Sequence, residues 1–382
     1  MSPPPANPLL KIGITCYPSV GGSGILASAL GFELAARGHE VHFISYERPF
    51  RLPANRPRLF FHPVTINDYG LFRYPDYTLP LSVKMAEITR EYGLDVLHVH
   101  YAVPHATAAI LARAMLPPEL QPRVVTTLHG TDTTLLGRDP AYSPAIAHAL
   151  ACSDAITTVS ADLRRETREV LHCEQPIEVI HNFFDPRLPT RSRAEVRQEL
   201  GLTDEILILH TSNLRPVKRI DLLLATAARL KARLNFKLLI LSGEAFAPFA
   251  AEVRSLGLED CVIVREKVTQ IEDYLQAADL ALFTSATESF CLGILEAMFF
   301  ACPSVASRVG GIPEVVEDQV TGILVPFGDP KDYAAAVESL IRDPVRRAAL
   351  GQAARLRARA LFAADVIVPR YEALYHRVCR KN

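Results

Sequence analysis

The chain is 382 residues long, 49% hydrophobic and 22% charged, which describes an ordinary globular protein with ample core in about two domains. Its formal net charge of −1 excludes a bulk electrostatic pull toward nucleic acid or anionic membrane. No uninterrupted apolar run is long enough to span a bilayer.

The chain opens on a proline-rich tail, Ser2 to Pro8, without the charged and apolar regions of a secretory signal. Apolar periodicity then predicts a strand over 10–16, a helix over 25–37, strands over 41–45 and 59–64, a helix over 81–92 and a strand over 96–100. A helix over 106–115, a strand over 124–128, a helix over 145–151, a strand over 155–159, a helix over 161–171 and a strand over 177–180 follow. Gly38 stops the first helix and Ser160 caps another. Two prolines break the rhythm over 184–192, the expected hinge. The alternation restarts with a strand over 206–210, a helix over 220–234, a strand over 237–241, a helix over 248–256 and a strand over 262–264. Next come a helix over 271–277, a strand over 280–283, a helix over 292–299 and strands over 304–306 and 322–325. Helices over 331–342, 345–361 and 365–378 end the chain. Strands alternating with helices imply βαβ units, hence an α/β chain of two doubly wound, Rossmann-like domains facing a cleft. The seven cysteines (Cys16, Cys152, Cys173, Cys261, Cys291, Cys302, Cys379) are odd in number, scattered and without C-x-x-C. They fit a reducing cytoplasm rather than a disulfide framework or a zinc site.

Four loops carry candidate chemistry. Glu288 and Glu296 stand eight positions apart, with Gly293 between them, where a predicted strand runs into a helix. Helix-start N–H groups suit a diphosphate, and the two carboxylates suit a sugar and a ribose. The same spacing also fits a solvated helix face. Ser212 to Arg219 clusters cations before a helix, so Lys218 could hold a diphosphate and stabilise it as a leaving group. His129-Gly-Thr-Asp132 ends a buried strand, where Thr131 or Asp132 could fix the tautomer of a working His129. The loop Val20-Gly21-Gly22-Ser23-Gly24 can present backbone N–H groups to an anion. With Ala27 and Glu47 it also satisfies a loose dinucleotide pattern, the mark of a nicotinamide-dependent oxidoreductase. Gly310-Gly311-Ile-Pro-Glu314 is a further strand-end glycine pair, either a wall of the cleft or a plain turn. No D-x-D occurs, so cations and backbone dipoles, not a metal, are expected to neutralise a diphosphate.

Glycine loop, His-Gly-Thr-Asp, Lys-Arg, paired glutamates and Gly-Gly-Ile-Pro-Glu, in this order over nearly the whole chain, resemble the retaining GT-B glycosyltransferases of family 4. The strings at 14–24, 97–105, 127–132 and 213–219 look like its malate-accepting subfamily of bacillithiol biosynthesis. The resemblance implies UDP-N-acetylglucosamine as donor, L-malate as acceptor, no cofactor, retention by front-side attack and a homodimer without stable membrane association. It implies an acceptor domain at 1–186, rejoined by a helix at 365–382, and a nucleotide-sugar domain at 187–364. Carried over, Lys218 neutralises the diphosphate, Glu288 and His129 meet the donor sugar, and Glu296 takes the ribose. Asn213, Arg219 and the backbone of Phe290, Cys291 and Leu292 complete the donor site. Gly22, Ser23 and Gly24 border the leaving phosphate and acceptor, with Tyr101 and Thr131 near the acceptor. Many members carry arginine where this chain has Asn213, and the malate subfamily shares the asparagine. Cys291 replaces a usual glycine, and a side chain there would crowd the donor loop. Malate needs cationic or strong hydrogen-bond partners, yet no Arg or Lys lies between Arg138 and Arg164, where the helix offers only His148. Arg48 and Arg51, in a proline-broken basic loop, are candidates. That loop also keeps open a lipid acceptor at an anionic membrane. A non-catalytic sugar-nucleotide sensor is the remaining alternative.

Overall fold

The computed structural model describes residues 8–18, 22–66 and 76–380. The proline tail up to Asn7, and Val20 and Gly21 of the first glycine loop, lie outside the described residues. The chain divides into two compact units, Met1–Asn182 with Ala364–Asn382, and Phe183–Ala363.

The first unit runs β1 (Lys11–Thr15), α1 (Gly22–Ala36), β2 (Glu40–Ser45), β3 (Leu59–Pro63), α2 (Thr78–Tyr92), β4 (Val96–His100), α3 (Thr107–Ala114) and β5 (Arg123–Leu128). It continues through α4 (Thr131–Thr134), α5 (Ser143–Ala151), β6 (Ala155–Thr158), α6 (Ala161–Leu171) and β7 (Ile177–Val179). The seven strands pair in the order β3-β2-β1-β4-β5-β6-β7, each pair parallel. A parallel sheet is covered on both faces, and every residue of β4 is accordingly buried. Ser160 caps α6 by accepting from the Leu163 N–H.

The second unit runs α7 (Arg193–Glu199), β8 (Ile206–Ser212), α8 (Ile220–Lys231), β9 (Phe236–Ser242), α9 (Ala250–Ser255), β10 (Val262–Glu266) and α10 (Glu272–Ala277). Then come β11 (Leu280–Phe283), α11 (Leu292–Phe299), β12 (Ser304–Ser307), α12 (Ile312–Val315), β13 (Gly322–Val325), α13 (Pro330–Arg342) and α14 (Pro344–Phe362). Its six strands pair in parallel in the order β10-β9-β8-β11-β12-β13. Leu209, Leu223, Leu280, Val305 and Tyr333 lie fully buried in it.

The last helix, α15 (Ala364–Cys379), belongs to the first unit. Its Tyr375 hydroxyl lies 2.8 Å from Nδ1 of His98 in β4, and its Arg370 donates to the Val179 carbonyl at 2.6 Å. Helix α7 falls in sequence that periodicity left unassigned. A capping box starts it: Ser192 receives the Glu195 N–H, and the Glu195 carboxylate receives the Ser192 N–H at 2.7 Å. Among the described residues no helix is long and apolar enough to cross a membrane.

Candidate active site

In each sheet the strand order reverses at one place, between β1 and β4 in the first unit and between β8 and β11 in the second. Open parallel sheets bind ligands outside the carboxyl ends of the strands at such a point. The loops after β8 and β11 carry Lys218 and Glu288 there.

Lys218 Nζ donates to Glu288 Oε1 at 2.6 Å, and Ser285 Oγ donates to the same oxygen at 2.8 Å. Both charged side chains are largely covered, with 21% and 9% of their side-chain surface exposed. Burial lowers an ammonium group, but the charge of Glu288 and its hydrogen bond outweigh this and raise Lys218, so it stays protonated. The two loops are joined in three further places. The Ala286 N–H donates to the Val217 carbonyl at 2.8 Å, and the Thr284 hydroxyl to the carbonyls of Lys218 and Arg219 at 3.2 and 3.1 Å. At the end of β8, buried His210 donates from Nδ1 to the Leu282 carbonyl at 2.8 Å and accepts at Nε2 from the Ser212 hydroxyl at 2.7 Å. Burial holds its pKa to about 4.

The glycine pair after β12 clamps the Glu288 loop. The Gly311 N–H donates to the Glu288 carbonyl at 2.9 Å. Gly310 has φ +52°, and a Cβ on it would lie 2.0 Å from that same carbonyl oxygen. The pair therefore packs directly against the backbone of the Glu288 loop.

Cys291 precedes α11 with φ 72° and ψ 80°, the left-handed region that favours glycine. The glycine-type conformation is kept, and the side chain is accommodated by burial. Burial first, then the Glu288 charge, pushes the thiol well above its ordinary range, so it is neutral. Gly293 lies in the first turn, where a Cβ would come within 2.9 Å of Thr211. The side chain of Phe290 is core, edge-on to Phe362 at 5.6 Å, so only its backbone can serve a ligand. Leu292 and Asn213 are half-buried, and Glu296 is buried in α11. Arg219, at φ 52°, pairs with Asp221 at 2.7 Å and lies 5.4 Å from the Phe327 ring.

In the first unit, Gly22, Ser23 and Gly24 form the first turn of α1 after β1, while Tyr101 and His129 follow β4 and β5. Tyr101 has φ 81°, and its ring lies 5.2 Å from that of His129. Thr131 opens α4, half-buried. The expected tautomer control by Thr131 or Asp132 is corrected here. Asp132 is spent on the backbone, receiving the His129 N–H at 3.0 Å and the Ala102 N–H at 2.8 Å. The ring of His129 meets His100 instead, Nε2 to Nδ1 at 2.9 Å. Burial raises Asp132 to about 6 against those N–H groups, and it lowers His129 to about 3. The basic loop after β2 is tied to the loop after β1 by the Phe50 N–H and Pro18 carbonyl at 3.3 Å. In it Arg48 lies 4.9 Å from the Phe61 ring and Arg51 5.8 Å from the Phe50 ring. His148 is exposed on α5, and Glu47 is exposed after β2. Ser285 and His100 were not singled out from the sequence. Only the alternate histidines of β4 hinted at the second.

A family model described as Glycosyltransferase Family 4 matches residues 20–188, and one described as Glycosyl transferases group 1 matches residues 192–357. The chain is 41% identical over 376 residues to the N-acetyl-alpha-D-glucosaminyl L-malate synthase of Bacillus anthracis, covering 98% of each. It is 32% identical over 291 residues to a D-inositol 3-phosphate glycosyltransferase of Mycobacterium sp. (strain KMS), covering 71% of this chain and 65% of that one. The structure of sucrose-phosphate synthase from Thermosynechococcus elongatus has the same fold, with a TM-score of 0.83 at 22% identity, over 97% of this chain and 99% of that one. The chain belongs to the family 4 glycosyltransferases and has their GT-B architecture of two Rossmann-like units.

Proposed function

We propose that the chain transfers N-acetylglucosamine from UDP-N-acetylglucosamine to the hydroxyl of L-malate with retention, the first step of bacillithiol biosynthesis. The observation that carries the chemistry is the Lys218–Glu288 pair at the β8/β11 reversal, 2.6 Å apart beside the start of α11. The full-length similarity to a malate synthase carries the choice of substrates.

In this reading the second unit holds the donor. Lys218 and the N–H groups at Phe290, Cys291 and Leu292 neutralise the diphosphate, which lowers the barrier to its departure. Glu288 accepts from a sugar hydroxyl and Glu296 from the ribose, with Asn213 and Arg219 at the rim. The first unit supplies Ser23, Tyr101 and Thr131 to the acceptor, N–H groups of Gly22, Ser23 and Gly24 to the leaving phosphate, and His129 to the sugar. The malate hydroxyl oxygen bonds to the anomeric carbon on the face that UDP leaves. The departing phosphate oxygen takes the hydroxyl proton, so no side-chain nucleophile or metal is needed. We place the enzyme in the cytoplasm as a homodimer acting on small soluble substrates, without a cofactor.

The test is UDP release from UDP-N-acetylglucosamine with and without L-malate, in the presence of a chelator. Malate-dependent release is expected. If malate adds nothing while UDP still raises the melting temperature, the acceptor assignment is wrong and inositol phosphates and lipids are tried next.

A further inference from the structure

Strand β4 carries two fully buried histidines at alternate positions, His98 and His100, and the turn after it adds buried His105. The rings of His98, His100 and His129 follow one another with centroids 4.5 and 5.1 Å apart, and His105 bonds to the His100 backbone. Burial leaves all four rings neutral, lowering His98 and His129 to about 3, His105 to about 4 and His100 well below its ordinary value. Each ring therefore has one proton for two nitrogens.

Hydrogen-bond accounting places these protons. His105 Nδ1 bonds to the His100 carbonyl, and a carbonyl only accepts, so His105 is protonated at Nδ1. His100 Nδ1 lies 2.9 Å from His129 Nε2, with the ring centroids 5.1 Å apart and the ring planes 23° from parallel, the end-to-end geometry of an N–H···N bond. One of those two nitrogens donates. The other nitrogen of His100 decides which, because Nε2 is buried and has no hydrogen-bond partner among the described residues. A proton there would be a buried N–H without an acceptor. A proton on Nδ1 makes the bond to His129 and leaves only a lone pair unmatched, the lesser deficit.

We propose that His100 is a positioning residue: it donates from Nδ1 to Nε2 of His129 and so holds the proton of His129 on Nδ1. His129 then offers a neutral N–H to a substrate oxygen and does not act as a base toward the acceptor hydroxyl. The substrate role rests on the proposed glycosyl transfer, whereas the tautomer does not.

Long-range nitrogen–proton spectra of the full chain labelled with 15N-histidine test this, with the His129 signals assigned by their loss in His129→Gln. Expected is a protonated Nδ1 and a lone-pair Nε2 at His129. Protonation at Nε2, or at both nitrogens, overturns the proposal. His100→Asn puts an amide donor in the place of Nδ1, and it should keep the tautomer and most of the turnover. His100→Leu should release His129 to a mixture of tautomers and lower kcat about tenfold, with a smaller change in KM for the donor. An unchanged tautomer and kcat in His100→Leu also overturns the proposal. Should that variant not fold, the wild-type and His100→Asn spectra still decide. A wild-type Nδ1–H tautomer without malate-dependent turnover would leave this assignment standing and remove the functional reading.

Discussion

Lys218 and Glu288 are each costly without the other. Removing the ammonium leaves a largely buried carboxylate with the Ser285 hydroxyl in place of an opposite charge. Lys218→Ala is therefore expected to lower kcat/KM by about 10²–10³, the usual loss when one preorganised electrostatic contact is deleted. UDP affinity measured by calorimetry should fall with it. Undiminished turnover would remove Lys218 from the chemistry. Cys291 gives a sharper test of conformation. Its left-handed backbone costs a non-glycine residue about 1–2 kcal/mol, and a β-branched side chain is worse placed still. Cys291→Gly should stay within about 1 kcal/mol of the parent in denaturant melts, because relief of strain offsets lost burial and a freer unfolded chain. Cys291→Val should lose about 1–3 kcal/mol and weaken donor binding. Equal stability of the two variants would show that backbone conformation does not govern this position.

Among the elements, the Glu288 loop depends on a neighbour that contributes no side chain. The turn between β12 and α12 bonds to Glu288 through Gly311 and approaches it through Gly310. Gly310→Ala forces a methyl into the Glu288 carbonyl and is expected to cost about 2 kcal/mol or more. Donor binding should weaken at least tenfold, while a distant surface alanine changes neither. This clamp also shows where sequence reading stops. Strands such as β4, β11 and β13 are legible because apolar runs bounded by turn residues need no knowledge of the fold, and so is the helix carrying Glu296. Lys218 and Glu288, which the structure brings together, are legible because a loop motif keeps its spacing. The bond from Gly311 to Glu288 and the meeting of His100 with His129 depend on which strands lie side by side, and local pattern does not encode that. Helix α7 was legible in principle. Its capping box, Ser192 with Glu195, stands in the sequence.

At the scale of the whole molecule, buried histidines set the acid limit. His98 and His129 are held to about 3, and His62, His105 and His210 to about 4, each chiefly by burial. In the unfolded chain these rings take up protons near pH 6.5, so their contribution is fully present above that pH and is lost as pH falls toward 4. Asp132 works the other way. Raised to about 6, it favours the folded state at low pH and loses that contribution as pH rises through 6. The histidines outnumber it, so stability should fall steeply between pH 6.5 and 4, by about 1.4 kcal/mol per pH unit for each proton taken up on unfolding. Melting temperatures at pH 7.5, 6 and 5 check this, and a flat profile would contradict the buried-neutral assignment.

The return of α15 has a consequence for how the protein is made. Its Tyr371 and Tyr375 rings lie 5.3 and 5.6 Å from His98, in a sheet whose strands, Lys11 to Val179, all precede the second unit in the chain. The segment Phe183–Ala363 carries its own sheet and can close as it leaves the ribosome. The N-terminal sheet lacks this helix until Ala364–Cys379 has been made, after the whole of the second unit. A chain stopped short of Ala364 has every strand of both sheets but lacks the rings packed on His98, so the unit begun first is the unit completed last.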